Sequence, residues 1–550
     1  MTDTLLATRP ASQAAKSDLP ALSAAQVRAH LLARDTEIAL LDVREEDPYA
    51  QAHPLWAANL PLSRIELEAW RRIPRRDTRI VLFGAHAGDD LAPRAAAVLR
   101  RLGYTQVHAL QDGLDGWQAA GFELFRDVNV PSKAFGELVE HERHTPSLPA
   151  QEVQALIDAK ADVVVLDARR FDEYQTMSIP TATSVPGAEL VLRARALAPD
   201  PRTRIVVNCA GRTRSIIGTQ SLVNAGLPNP IAALRNGTIG WTLAGQALDH
   251  GADRRAPADI DPAVRAQAQA DARRVAERAG VRWLDAAALP ALREPGRTVY
   301  RFDVRTPEEY AAGHRPGFAS APGGQLVQET DHHVPVRGAR IVLSDEGDGV
   351  RAPMTASWLA QMGWEVHVLQ GPAELGEAGV PAAELPAHRH DVDGIAPAAL
   401  AALLKAGDAV LVDVGASANY VKRHIPGAWF AVRAQLPQAL ARLPRTGTVV
   451  LTCGSSLLAR YAADDVREGL DAQGDAREVR VLDGGNAAWF AAGLPAEAGE
   501  ARLATPRTDR YRRPYEGTDA PREAMQAYLD WEFGLVAQLE RDGTHHFRVI

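Results

Sequence analysis

Only two cysteines, Cys209 and Cys453, occur in 550 residues. That scarcity excludes a disulfide framework and a cysteine-rich metal centre, so each thiol needs its own explanation. A bond between the two is not expected in a reducing compartment, since each stands in its own loop. Long hydrophobic runs are also missing. Nothing approaches a membrane span, and the opening MTDTLLATRPASQAAKSD has no apolar core of signal-peptide length, so a cytoplasmic chain without a membrane partner is expected. Positive charge is not in excess: 61 Lys and Arg against 69 Asp and Glu give a net charge of -8, which offers no basis for nucleic-acid binding. The histidine pairs His332-His333 and His545-His546 have no H-x-x-x-H or cysteine pair beside them. They are expected on the solvated surface, and no metal or cofactor is expected.

What is present is a repeat. A chain of this length with 46% apolar and 24% charged residues should hold several globular domains. Four segments open with an apolar strand ending in aspartate, LLDVR at Asp42, VLDAR at Asp167, RFDVR at Asp303 and LVDVG at Asp413. Each is followed by a second β-like run, RIVLF, RIVVN, RIVLS and TVVLT, after which stand Gly84, Cys209, Asp345 and Cys453. The separations from the aspartates are 42, 42, 42 and 40 residues, so the chain is four copies of one unit. An aromatic with a downstream His-Pro turn (Tyr49 with His53, Tyr310 with His314, Tyr420 with His424) and a glycine turn closing on Trp117, Trp241 or Trp489 recur at matching places and are expected as scaffold. The strand-end pairs Asp167 with Arg169 and Asp303 with Arg305 should fix loops. Asp413 has Gly415 in place of that arginine.

Alternating β-runs and helical runs, such as Ala24 to Arg34 and Ala92 to Leu102, predict an α/β fold in which each unit is a mostly parallel sheet with helices on both faces. The expected units are residues 21–125, 146–250, 281–383 and 390–496, followed by a tail, 497–550. Residues 126–145 read as polar and irregular, and alanine-rich Asp259 to Arg278 as a solvated linking helix. In the tail, Pro521 to Glu540 predicts a helix capped by Thr518 or Asp519 and stopped at Gly543. Its apolar residues should pack on the units or join a homodimer.

The chemistry points to CAGRTRS, Cys209 to Ser215, between a strand and a helix. A thiolate there can be ringed by backbone N–H groups and by the positive helix terminus, and should ionise near neutral pH. This loop resembles the persulfide-forming loop of the rhodanese-type sulfurtransferases. Cell-cycle dual-specificity phosphatases, which share the fold, place an arginine six after the cysteine, whereas here that position is Ser215 and the arginine is Arg214. The loop is one residue too tight for phosphate.

The resemblance implies a rhodanese-like fold in all four units and a sulfurtransferase taking sulfane sulfur from thiosulfate or a related small donor to a thiol or cyanide through a cysteine persulfide. Cys209 would be the principal carrier. Ala210, Gly211, Arg212, Thr213, Arg214 and Ser215 would bind substrate, the two arginines stabilising the thiolate and attracting an anionic donor, or serving only as solvated loop residues. No separate general base is needed if the thiolate is preformed. Around Cys453 the loop CGSSLLA partly resembles the Cys-Gly-Ser opening of mercaptopyruvate sulfurtransferases, with Gly454, Ser455 and Ser456 as binding residues. The alternative there is an inert buried cysteine. Cysteine is absent, present, absent, present along the four units, the order expected of two fused inactive–active tandems. Acidic Asp89-Asp90 and Asp345-Glu346 should keep the first and third loops from binding a donor. A scaffold or sensor of sulfur species or protein partners is the non-enzymatic alternative.

Overall fold

A computed structural model describes residues 19–33, 36–86, 88–293, 296–517 and 519–550. The tail cap Thr518, Arg34 at the end of the first helical run, and Ala87 of the first loop lie outside these residues, as do residues 1–18. The described residues contain four sheets with one strand order, flanked by helices. In the second, Ser147–Leu148, Ile231–Leu234, Arg204–Asn208, Val163–Asp167 and Thr183–Ser184 lie side by side, all parallel. The strand feeding each cysteine or its counterpart is therefore the central one. The first sheet gains a sixth strand, Val336–Arg337 from the third unit, antiparallel to Ile38–Asp42.

The repeated landmarks are scaffold. Tyr49, Tyr174, Tyr310 and Tyr420 each donate a hydroxyl to the carbonyl eight residues on, Ala57, Ala182, Phe318 and Ala428. Buried Trp117, Trp241 and Trp489 each donate the indole N–H to a carbonyl six residues on. The Asp–Arg pairs form at Asp42–Arg44, Asp167–Arg169 and Asp303–Arg305, while Asp413 accepts instead from the Gly415 amide and the Asn486 side chain. Each cysteine-bearing unit packs the turn after its last short strand against the same turn of a cysteine-free unit. Gly187 abuts Gly324 of the third, and Arg433 of the fourth is bonded bidentately to Glu66 of the first at 2.8 and 3.0 Å.

Three expectations about the joints are corrected. Residues 126–145 are not irregular, because Val130–Arg143 is a helix with Pro131 at its first turn and with Lys133 and Glu137 buried. The linking helix, Pro262–Ala279, is not solvated all round. Its small residues Ala268, Ala272 and Ala276 let it press against the third unit's helix Arg351–Gln361. The tail forms two helices, Arg522–Phe533 and Leu535–Asp542, capped by no side chain at the start and stopped by Gly543 with a left-handed φ of 65°. Met525, Tyr528 and Leu529 pack on Ile239, inside the chain. The histidine pairs are half-buried rather than solvated. Among the described residues no helix is long and apolar enough to cross a membrane, and no group of acidic, histidine or cysteine side chains could hold a metal.

Candidate active site

Cys209 follows the central strand and precedes the helix Thr213–Ala225, so first-turn amides face the loop. Among the described residues the amides of Ala210 to Ser215 donate to no carbonyl. The loop is closed behind by Gly237, φ 54°, where a Cβ would lie 2.4 Å from the Cys209 and Gly211 carbonyls. Thr238 and Ile239 tie the chain there by donating to the carbonyls of Cys209 and Ala210. The thiol donates to Ser215 Oγ at 3.5 Å, and Ser215 Oγ donates to the Arg212 carbonyl at 2.8 Å. Burial pushes the Cys209 pKa up, opposed by the Arg214 charge and by the Ser215 hydroxyl and amide. The expectation of a thiol ionised near neutrality is therefore corrected for this arrangement: Cys209 is 2% exposed, and desolvation outweighs the loop's positive field.

The two arginines are not solvated, nor are they free to seize a donor. Arg212 is buried against Glu137 at 2.7 and 2.8 Å, against Glu140, and against Asn236 at 2.9 Å. Its role is to clamp the helix Val130–Arg143 to the loop. Arg214 lies bidentate on Glu173, 2.8 Å on each arm. Glu173 lines a polar cavity of about 390 Å³ on its far side, shared with Arg170, Gln325, Arg513 and Tyr515, which Cys209 does not reach. Thr213 packs on Gly136 of the helix Val130–Arg143, and Gly211 is overlain by Tyr528 and Glu532 of the tail helix.

Cys453 is placed alike, after the strand Thr448–Thr452 and before the helix Leu457–Ala472. The amides of Gly454 to Ala459 are likewise without carbonyl partners among the described residues. Gly485, φ 59°, closes this loop: a Cβ would lie 2.3 Å from the Cys453 carbonyl and 2.6 Å from the Ser456 amide. Ser456 holds a left-handed φ of 66°, a strained conformation for a residue with a side chain. Gly454 and Ser455 are exposed, and Cys453, 4% exposed itself, borders a cavity of about 540 Å³. The first unit supplies Glu45, Ser63 and Arg64 to that cavity, the third His332 and the tail Asp509. Burial raises Glu45 to about 7 despite its bond from Ser63. No arginine here parallels Arg214, whose place is taken by Leu458, and Asn419 stands where Glu173 does.

In the cysteine-free loops an aspartate fills the ring. Asp89 accepts from the amides of His86 and Leu91 at 3.3 and 3.2 Å, directly over Gly84. Asp345 accepts from the Ala352 amide at 3.0 Å, and burial with the nearby Asp348 raises it to about 7. Sequence reasoning missed Glu137, Glu140, Glu173 and Glu532, the carboxylates around the Cys209 loop. Glu173 alone left a signal, as the acidic residue before the repeated Tyr174, matched by Glu309 paired with Arg351 at 2.5 and 2.9 Å in the third unit.

The Rhodanese-like domain model matches residues 23–120, 149–244 and 396–492, just over half the chain. The third sheet lies outside those matches but has their strand order. The chain is 64% identical to the crystal structure of a thiosulfate sulfurtransferase from Pseudomonas aeruginosa, covering 97% of this chain and 100% of that one with a TM-score of 0.93. Over 107 residues it is 38% identical to the HTH-type transcriptional regulator Rv0324 of Mycobacterium tuberculosis (strain ATCC 25618 / H37Rv), 20% of this chain and 46% of that protein. It thus spans less than half the length of that curated relative. Four sheets of one order, two cysteines in amide-ringed loops and these matches lead to one statement: the chain belongs to the rhodanese-like family of sulfurtransferases.

Proposed function

We propose that the chain moves a sulfane sulfur from thiosulfate or a related anionic donor to a thiol or cyanide, through a persulfide on Cys209. The Cys209 thiolate attacks the outer sulfur, the donor's S–S bond breaks, and sulfite leaves with the electron pair. The acceptor then attacks the outer sulfur of the persulfide and Cys209 leaves as thiolate. The observation that carries this reading is the ring of unspent amides from Ala210 to Ser215 at a helix N-terminus, which suits a persulfide anion. The name of the Pseudomonas aeruginosa relative supports thiosulfate as the donor.

Cys453 is the second carrier. Its cavity of about 540 Å³ is reachable with the chain as it stands, whereas Cys209 lies beneath the tail helix. The test is intact mass after incubation with thiosulfate, for the parent chain, Cys209→Ser and Cys453→Ser. A sulfur gained and then lost on thiol treatment, mostly abolished by Cys209→Ser, is expected. Full retention in Cys209→Ser would transfer the role to Cys453, and no gain with any donor would leave a scaffold.

A further inference from the structure

The Cys209 loop is covered by a segment from outside the four repeated units, the tail. The tail helix Arg522–Phe533 lies across the loop, with Tyr528 and Glu532 filling the space left by the missing side chain of Gly211. From the position a Gly211 Cβ would take, a Tyr528 ring carbon is 3.3 Å away and Glu532 Oε2 is 3.5 Å away. Phe533 continues the cover, with the Arg212 guanidinium 4.2 Å from its ring centre. Glu532 is 0% exposed. Its Oε1 accepts from the Tyr528 hydroxyl at 2.8 Å, whereas Oε2 has no partner among the described residues. A buried carboxyl oxygen left without a bond is costly and requires a reason. Its surroundings supply one.

Resting on the reading of Cys209 as the persulfide carrier, we infer that Glu532, delivered by the tail helix, is the proton-handling group of the Cys209 site and that its free oxygen faces the donor and acceptor held over the loop. A thiol acceptor brings a proton that must leave before sulfur can be attacked. Among the atoms nearest the position of a Gly211 Cβ, Glu532 Oε2 is the carboxyl oxygen, and it is placed to take that proton. In the forward half, the Cys209 thiolate attacks the outer sulfur, the donor's S–S bond breaks and sulfite leaves with the electron pair, while Glu532 stands by as a carboxylate. In the return half, that carboxylate takes the proton of the acceptor thiol. The acceptor thiolate forms an S–S bond to the outer sulfur, the Cys209–sulfur bond breaks, and Cys209 leaves as thiolate beside a neutral Glu532. Glu532 then releases that proton to solvent, so atoms and charge balance over the cycle, and no external oxidant or reductant enters.

The groups that face Glu532 set its proton affinity where this cycle needs it. Burial raises it to about 8, with Glu137 pushing the same way and Lys133, the Tyr528 hydroxyl and Arg212 pulling it back. Tyr515 and Asp127 act on the same cluster through Lys133. A carboxyl poised near working pH can give and take a proton within one turnover, whereas an ordinary surface carboxylate cannot.

The test uses the full chain carrying Cys453→Ser, so that only Cys209 reports, with and without Glu532→Gln. Thiosulfate is the donor, and the acceptors are a small thiol and, at alkaline pH, cyanide anion, which brings no proton. Glu532→Gln is expected to lower thiol turnover at least about tenfold while cyanide turnover stays within about threefold. Equal losses with both acceptors would mean that Glu532 only props up the loop, and no loss would remove it from the reaction; either overturns the inference. Tyr528→Phe is the second variant, keeping the ring and deleting the hydroxyl bond that favours the carboxylate. It should move the rise of thiol turnover to higher pH by about half a unit, and an unmoved profile counts against the inference. If Cys209 of the Cys453→Ser chain takes up no sulfur from thiosulfate, the carrier assignment itself fails; uptake with an unchanged acceptor ratio sinks only the role of Glu532.

Discussion

Arg214 and Glu173 form a bidentate ion pair, 2.8 Å on each arm, that stands between the sulfur-holding loop and the polar cavity beside it. The pair serves two ends. The guanidinium is the foremost of the groups that favour the Cys209 thiolate, and the carboxylate keeps that guanidinium from turning away. In the fourth unit Leu458 and Asn419 cannot make such a pair, and the cavity runs up to Cys453.

Breaking the pair should therefore do opposite things to access and to charge. Glu173→Gln should open the way from the cavity, so that Cys209 is alkylated faster by a neutral reagent such as iodoacetamide in the Cys453→Ser background. Arg214→Ala should slow alkylation, because the thiol loses its main cation and rises further. Equal rates in all three proteins would mean that the pair neither gates nor tunes the sulfur.

The same carboxylate leaves a signature in stability against pH. Burial disfavours the Glu173 charge, but Arg214 more than offsets this and holds the carboxyl at about 2, below its unfolded value. A depressed acid adds stability that is complete above the unfolded pKa and fades as pH falls toward the folded one. Between about pH 5 and 2 the parent should lose on the order of 2 kcal/mol that Glu173→Gln does not lose, read as a flatter decline of Tm in the variant.

Arg433 fastens the fourth unit to the first by bonding Glu66 at 2.8 and 3.0 Å, both side chains with little exposure, and is held in its own unit by Asp465 at 2.7 Å. Removing one partner of a buried pair leaves the other charge stranded. Arg433→Ala should cost about 3–5 kcal/mol in chemical unfolding. Because Arg433 also lines the Cys453 cavity, sulfur loading of Cys453 should fall with it, while loading of Cys209 in the second unit stays close to parental.

The four sheets were legible because a strand, an aspartate and a second strand at fixed spacing are local patterns, and four copies of one pattern reinforce each other. Both cysteine loops were legible for the same reason. The residues around them were not. Lys133 and Glu137 read as loop because charged side chains ordinarily face water. Lys133 is buried against Asp127, six residues before it, at 2.7 Å, and Glu137 against Arg212, 75 residues away, at 2.7 Å. The tail helix was legible as a helix from Met525, Tyr528 and Leu529, but nothing in those residues names Ile239 and Gly211 as what they cover.

The silent loops can be tested by giving one a thiol. At Gly84 a new side chain meets the Asp89 carboxylate at 2.1 to 2.5 Å, and Asp89 is bonded to the His86 and Leu91 amides. Gly84→Cys should fold with a loss of about 1 kcal/mol, since the displaced carboxylate gives up its helix-end bonds. Its thiol should take no sulfur from thiosulfate while Asp89 remains. Adding Asp89→Ala frees the amides, and any sulfur uptake should appear only in that double variant, read by intact mass in a chain lacking both native cysteines.

The tail helix should be held less firmly as pH rises, which is the reverse of Glu173. Burial raises Glu532 to about 8, and it raises Glu137, which Arg212 only partly offsets. A carboxyl with a raised pKa prefers the fold while neutral, so its contribution is complete below the unfolded value of about 4 and is lost as pH climbs through the folded one. Two such groups share one pocket, and ionising the second beside the first adds like-charge repulsion. Amide exchange of Arg522–Phe533, corrected for the intrinsic effect of pH, should therefore speed up between pH 6 and 9 relative to the helix Thr213–Ala225 beneath it. Glu532→Gln should remove most of that difference, and a tail helix whose protection is flat across this range would contradict the burial of an ionisable carboxyl at this joint.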